Sequence, residues 1–252
     1  MPPTITKELA LRYARQILLP DIDLDGQEAL MAAKVLIIGV GGLGCAAAQY
    51  VVSAGIGEVT LVDDDVVELS NLHRQVLHHE HDVGIKKVNS AKATLNSNNS
   101  LCVINTFAQR LDDNALSQQI AQHNVVLDCS DNLATRQQIN ALCFTHKVPL
   151  ISGAAIRFEG QISTYLMDQN GPCYQCLSYV FPEQQLSCVE AGVIPPLVGV
   201  IGSMQALEAM KLLTGTGELL NGILQLFDAK SLQFHRFSIP KNPACTVCSN
   251  PP

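Results

Sequence analysis

The sequence predicts an α/β fold: a Rossmann-like, mostly parallel sheet continued by antiparallel strands, with a four-cysteine zinc site. Three observations predict it. Residues 34–65 read KVLIIGVGGLGCAAAQYVVSAGIGEVTLVDDD, an apolar run, a glycine cluster, an Ala-rich stretch and a second apolar run ending in three aspartates. That order is strand, turn, helix, strand, the βαβ pattern that holds an adenine nucleotide. Residues 223–229 and 232–239 alternate with the period of paired antiparallel strands around Lys230 and Ser231. Two C-x-x-C pairs, Cys173/Cys176 and Cys245/Cys248, supply four thiols.

Taken in order, residues 4–19 show helical apolar spacing with Thr4 or Thr6 as N-cap. A second helix in DIDLDGQEAL leads into the strand Val35 to Ile38. In the turn that follows, Gly39 allows a tight bend, and Gly41 and Gly42 let backbone N–H groups approach a phosphate. Gly44 lets the helix sit close on the sheet. The helix N-terminus adds a positive dipole end, and the strand Val59 to Val62 delivers acidic groups at the spacing of a ribose contact. By itself this motif says adenine nucleotide, with NAD as the default.

A polar stretch comes next, then a helix from about Lys86 to Leu95. Arg74, in Ser70-Asn71-Leu72-His73-Arg74, and Lys87 bring two cations beside the glycine turn, where charge on phosphate can be neutralised. The tract His78, His79, His81 raises the question of a metal, but it reads as polar loop without an acidic or cysteine partner at ligand spacing. Strand 101–107, helix 114–123 and the buried strand Val125 to Asp128 follow. Asp128 and Asp131 thus fall at the carboxyl ends of parallel strands, where α/β proteins bind ligands. Asp131 could hold Mg²⁺ on a nucleotide or cap the next helix. Strand 148–155 precedes the antiparallel region beginning at 160.

The two cysteine pairs can close a tetrahedral Zn²⁺ site with no open position, a structural site that clips the C-terminal segment onto the body. Cys45, Cys102, Cys129 and Cys143 read as packed thiols; Cys188, on a Gly/Pro-rich crossover, is the candidate nucleophile.

Size and charge set the remaining bounds. A chain of 252 residues, 47% hydrophobic, suits one α/β domain, alone or with a small appendage. A formal charge of −7 speaks against non-specific nucleic-acid binding. Without a signal-peptide core or an uninterrupted apolar run of membrane length, a cytoplasmic protein with no membrane partner is expected. Nine cysteines in such a chain point to metal or catalysis over disulfides.

The segments RYARQILL, GVGGLGC, LVDDDVVELSNLHRQ, DCSDN, SGAAIRFEGQ, CYQC, CVEAGVIPPLVGVIGSMQALEAMK and CTVC span nearly the whole chain. Together they resemble the MoeB/ThiF family, bacterial relatives of the ubiquitin-activating enzymes, and displace NAD in favour of ATP. The resemblance implies an adenylyltransferase that uses MgATP to activate the C-terminal Gly-Gly carboxylate of a small ubiquitin-fold protein. The expected partner is MoaD, of molybdopterin synthase and molybdenum cofactor synthesis, with the thiamine-pathway carrier ThiS as alternative. It implies nucleotide contacts from Gly42, Asp63 and Asn71, phosphate contacts from Arg74 and Lys87, Mg²⁺ at Asp131 with Asn132 beside it, and zinc at Cys173, Cys176, Cys245 and Cys248. Arg15 matches an arginine that crosses from the second subunit of a homodimer, expected to form a heterotetramer with two MoaD. Cys188 matches the thioester position of ubiquitin-activating enzymes.

One domain, 1–252, is expected, with N-terminal helices 1–33, a nucleotide-binding half 34–152 and a partner-binding and zinc half 153–252. Ending shortly after Cys248 without a rhodanese-like extension, the chain is expected to rely on a separate persulfide sulfur donor. Two other classes compete: an NAD-dependent oxidoreductase, opposed by Arg74, Lys87 and Asp131, and a catalytically silent scaffold, opposed by the intact phosphate-binding set.

Overall fold

The computed structural model describes residues 5–180 and 191–249. Three short helices open it: α1 (Lys7–Arg12), α2 (Ala14–Ile17) and α3 (Asp23–Ala32). The amphipathic segment 4–19 is therefore two helices, broken where Tyr13 leaves helical geometry (φ −100°, ψ 13°). Thr6 is the N-cap, its hydroxyl accepting from Leu9 N–H. Buried Tyr13 also anchors the segment, its hydroxyl accepting from Asn99 Nδ2 at 3.0 Å.

Eight strands then form one sheet in the order β3-β2-β1-β4-β5-β6-β7-β8. β1 (Lys34–Ile38), β2 (Glu58–Val62), β3 (Val103–Phe107), β4 (Val125–Asp128) and β5 (Leu150–Ile156) run parallel to one another. β6 (Glu159–Tyr165), β7 (Ile223–Asp228) and β8 (Gln233–Ser238) continue the sheet antiparallel, with β7 and β8 as the expected hairpin. Helices α4 (Gly42–Ser53), α5 (Lys87–Asn98), α6 (Asp113–Ile120), α7 (Leu133–His146), α8 (Tyr174–Val180) and α9 (Pro195–Thr214) cover both faces.

Strand pleating explains how one apolar run serves two cores. Val35 and Ile37 enter the core shared with α4, α5 and α9, whereas Leu36 and Ile38 enter the opposite core shared with α6, α7 and α8. This is why β1 and β4 read as continuous apolar runs rather than alternating ones. The parallel part starts to the left and right of β1 and β4, so their shared boundary is the switch point at which a crevice opens beyond the strand ends.

α9 is long and apolar enough to cross a membrane by length and composition. Its setting is that of a core helix. It packs most extensively against α4 and lies over β5 and β6. Buried Gln205 donates to the carbonyls of Asp128 (2.8 Å) and Ile151 (3.2 Å). Buried Glu208 accepts from Thr164 Oγ1 (2.7 Å) and Leu220 N–H (2.8 Å) and pairs with Lys211. Three donors converge on one carboxylate that has left water, so removing it leaves the buried Thr164 hydroxyl and the half-buried Leu220 N–H without their acceptor. Glu208→Ala is expected to lower unfolding free energy by roughly 2–4 kcal/mol, read from the urea midpoint at unchanged m-value.

Candidate active site

The glycine turn sits at the carboxyl end of β1. Gly39 adopts φ +91°, and a Cβ there would stand 2.7 Å from the Cys129 carbonyl oxygen. The bend sends Val40 N–H into the Asp63 carboxylate at the end of β2, 2.7 Å away, while Asp65 N–H donates to the other Asp63 oxygen at 2.9 Å. Burial pushes the Asp63 carboxyl up, and the Val40 N–H and Lys87 oppose the rise. Gly44 is required by the turn itself, since its Cβ would meet the Gly39 oxygen at 1.9 Å. Gly42 is required by α9, its Cβ falling 2.7 Å from Val198. Gly41 caps α4 without a side-chain hydrogen bond, leaving first-turn N–H groups for an anion.

These groups open onto a cleft of about 1090 Å³. Gly41, Gly42, Asp63, Asn71, Arg74 and Lys87 line one side of it. A short 3₁₀ turn, Leu69–Asn71, orients the middle of this set: the Asn71 side chain accepts from Glu68 N–H at 3.2 Å, and Arg74 donates to the Ser70 carbonyl at 3.0 Å. Asn71 and Arg74 therefore face the cleft, whereas Ser70, Leu72 and His73 stand behind its lining. Lys87, the first residue of α5, is buried and rests on Asp65 Oδ2 at 2.7 Å. That acidic partner is mostly exposed, so it holds the ammonium at the cleft wall without closing it off from solvent.

Across the cleft, Asp131 is exposed and lines the pocket beside Asn132. The cap of α7 is Asn132, whose side chain accepts from Thr135 N–H at 3.0 Å, and not Asp131. Asp131 is thereby left for the cleft. Asp128 departs from its expected position there: it is fully buried, accepting from Ser130 N–H (3.0 Å) and Ser152 Oγ (3.0 Å), with Arg136 at 3.8 Å. It holds the cleft floor together instead of facing a ligand. Arg15 stays outside the cleft, exposed on α2, and Cys188 lies outside the described residues.

Several lining residues are not among the site residues the sequence singles out: Gln75, Arg110, Arg136, Arg157, Asp228 and His235. Arg157, Asp228 and His235 come from the antiparallel strands or the turn between them, so only the sheet order reveals that they share a cleft with the glycine turn.

The four cysteines of the two C-x-x-C pairs are buried together. Sulfur separations are 3.7 Å for Cys173–Cys245 and 3.4 Å for Cys176–Cys248. A tetrahedral ion with Zn–S bonds of about 2.3 Å separates its sulfurs by about 3.8 Å, so the cluster fits a zinc site. Asn140 Nδ2 donates to Cys173 Sγ (3.6 Å) and Asn242 N–H to Cys176 Sγ (3.4 Å), the support that thiolate ligands require. The remaining described cysteines are packed thiols, as expected: burial pushes Cys45 and Cys102 up to about 12 and also raises Cys129 and Cys143.

With this geometry, the comparisons with known proteins agree. A model described as the ThiF family matches residues 13–247, and the chain belongs to that family. The chain is 53% identical over 238 residues to the molybdopterin-synthase adenylyltransferase of Escherichia coli (strain K12), covering 94% of this chain and 96% of that one. It is 45% identical to an adenylyltransferase and sulfurtransferase, MOCS3-1, of Drosophila pseudoobscura pseudoobscura, over 98% of this chain and 55% of that one. Among solved structures, selenomethionine PaaA aligns with a TM-score of 0.82 at 26% identity, over 96% of this chain and 77% of that one. E. coli MccB crystallised with ATP aligns at 0.81 and 23% identity, over 94% and 73%, and shows the shared fold alone.

The glycines have unequal roles, which mutation can separate. Gly44→Ala is expected to unfold the turn, because the clash is with backbone. Gly41→Ala meets only the Gln75 amide at 3.6 Å, and is expected to keep stability within about 1 kcal/mol while weakening anion binding. Thermal denaturation with and without added pyrophosphate distinguishes the two.

Proposed function

We propose that this protein is an ATP-dependent adenylyltransferase that activates the C-terminal Gly-Gly carboxylate of a MoaD-like ubiquitin-fold protein in molybdenum cofactor synthesis. The observation that carries the reading is convergence. Residues from the glycine turn, the 3₁₀ turn, α5 and the loop after β4 are distant in sequence yet line one cleft. Relatives near 50% identity that this chain covers almost completely are molybdopterin-synthase adenylyltransferases.

In this reading Asp63 accepts from the ribose hydroxyls, and the N–H groups around Gly41 and Gly42, with Asn71, Arg74 and Lys87, hold the phosphates. Gly39 and Gly44 shape the turn; Ser70, Leu72 and His73 shape the segment that presents Asn71 and Arg74. The carboxylate oxygen of the carrier attacks the α-phosphorus, the bond to the bridging oxygen breaks, and pyrophosphate leaves with both electrons of that bond. Positioning and charge neutralisation drive such a step. Asp131, with Asn132 beside it, is the carboxylate to hold Mg²⁺, which supplies further neutralisation of phosphate charge when bound.

Arg15 cannot serve its own cleft from α2, so it is assigned to the cleft of a second copy in a homodimer that takes two carriers. The cysteine cluster is assigned to structural zinc within the half 153–252, which also supplies the antiparallel wall along which the carrier tail would lie. Residues 34–152 make the nucleotide half. The cytoplasm is the proposed location, where ATP is available. Cys188 is not required for adenylation in this scheme.

ATP–pyrophosphate exchange tests the function. Exchange is expected with MoaD bearing its Gly-Gly end and is expected to fall by about 10²-fold or more in Asp131→Ala. Exchange with ThiS alone moves the protein to thiamine synthesis, and exchange with neither carrier overturns the reading. Cys248→Ser is expected to lose bound zinc and about 5 °C or more of thermal stability, measured by metal analysis and calorimetry; full zinc retention contradicts the assignment.

A further inference from the structure

Beside the nucleotide half, His78-His79-Glu80-His81-Asp82 folds around a second 3₁₀ turn, Glu80–Asp82. The histidines divide. His78 turns inward, its Nδ1 bonded to Ser90 Oγ (2.8 Å) and its Nε2 3.2 Å from the Val40 carbonyl. His79 and His81 turn outward, rings within 12° of parallel and 5.3 Å apart, and both are exposed. The acidic partner that the sequence seemed to lack is Asp82: His79 Nδ1 lies 3.4 Å from its Oδ2 and His81 Nε2 3.5 Å from its Oδ1. All three side chains bring a ligand atom within 4.8 Å of the others.

Imidazole and carboxylate bonds to Zn²⁺ run about 2.0–2.1 Å, which places tetrahedral ligand atoms about 3.4 Å apart. The His79 Nδ1–Oδ2 spacing matches that figure, and with one ligand atom from each side chain the three lie within 4.8 Å of one another, close enough to converge on an ion by small side-chain rotations. Asp82 is held in place for the task. Although the residue is buried, its Oδ2 accepts from His79 N–H (2.9 Å) and Ser90 Oγ (2.8 Å), which orients the carboxylate as a supported metal ligand is oriented. The imidazoles stand open to solvent, so an ion has an entry path and a coordination position left for water.

We propose that His79, His81 and Asp82 form a second metal site, separate from the cysteine cluster, for a divalent ion of the kind imidazole favours: Zn²⁺, Co²⁺, Ni²⁺ or Cu²⁺. Two nitrogens among three ligands exclude Mg²⁺ and Ca²⁺, which take oxygen. Polar contacts run from Asp82 through Ser90 and His78 to the Val40 carbonyl, so the ion anchors the segment that braces the glycine turn.

The test is calorimetric titration of Zn²⁺ into the purified protein with its cysteine cluster intact, repeated with Co²⁺ under an absorption spectrometer. Wild type is expected to take up one further ion per chain. His79→Ala or His81→Ala each weakens that binding by about tenfold or more, and the double variant abolishes it. Co²⁺ at this site shows d–d bands without sulfur-to-cobalt charge transfer, and Cys248→Ser retains them. Both histidines are exposed, so the variants keep the metal-free melting temperature of wild type. No further uptake by wild type, or equal uptake by wild type and the double variant, overturns the proposal.

Discussion

The hydrogen bond from Val40 N–H to the Asp63 carboxylate joins the ends of β1 and β2, and the cleft is arranged around it. It forms because Gly39 takes a positive φ that folds the chain over Cys129, and because Gly44 lets α4 start directly beneath that bend. The result is a helix whose first N–H groups point across the strand ends at a fixed distance from an acidic group. A side chain at Gly39 or Gly44 would force these pieces apart, and cleft and fold would be lost together. Asp63 is thus a structural acceptor as well as the proposed ribose ligand, and half-buried among backbone donors it keeps its position before any nucleotide arrives.

The second constraint is α9. Its residues Val198, Gln205 and Glu208 press respectively on Gly42, on the carbonyls of β4 and β5, and on β6 with Leu220 in the approach to β7. One helix therefore spans the parallel and antiparallel halves of the sheet and fixes the two walls of the cleft relative to each other. The cysteine cluster acts similarly on the opposite face, drawing the segment after β8 onto α7 and α8 through Cys173, Cys176 and Asn140. α9 has the length and apolar composition of a membrane span because a helix clasped by a sheet and another helix needs the same composition as one in lipid.

Much of this was legible from residue order. The parallel strands announce themselves as short apolar runs because both faces are covered, and the βαβ glycines because a turn, a neighbouring helix and an open anion site each exclude a side chain. The β7–β8 hairpin shows in period-two alternation. What sequence order hides is whatever depends on direction. Spacing could not distinguish Asp131 from Asn132 as the cap of α7, since both precede the helix and only backbone geometry selects one. Asp128 has the strand-end position of a ligand, yet three donors and Arg136 enclose it. Arg157, Asp228 and His235 join the cleft only through the pairing order β5-β6-β7-β8. The tract at 78–82 looked like a solvated loop because the tight turn that swings Asp82 back toward His79 leaves no trace in spacing.

The central claim is that the glycine turn, Arg74 and Lys87 hold a nucleoside triphosphate in this cleft. A crystal structure with Mg²⁺ and a non-hydrolysable ATP analogue tests it most directly. The account predicts phosphate oxygens against the amides at Gly41 and Gly42, ribose hydroxyls on Asp63, and Lys87 turned from Asp65 to a phosphate. A nucleotide bound elsewhere, or one whose phosphates touch neither the glycine amides nor Lys87, would contradict it.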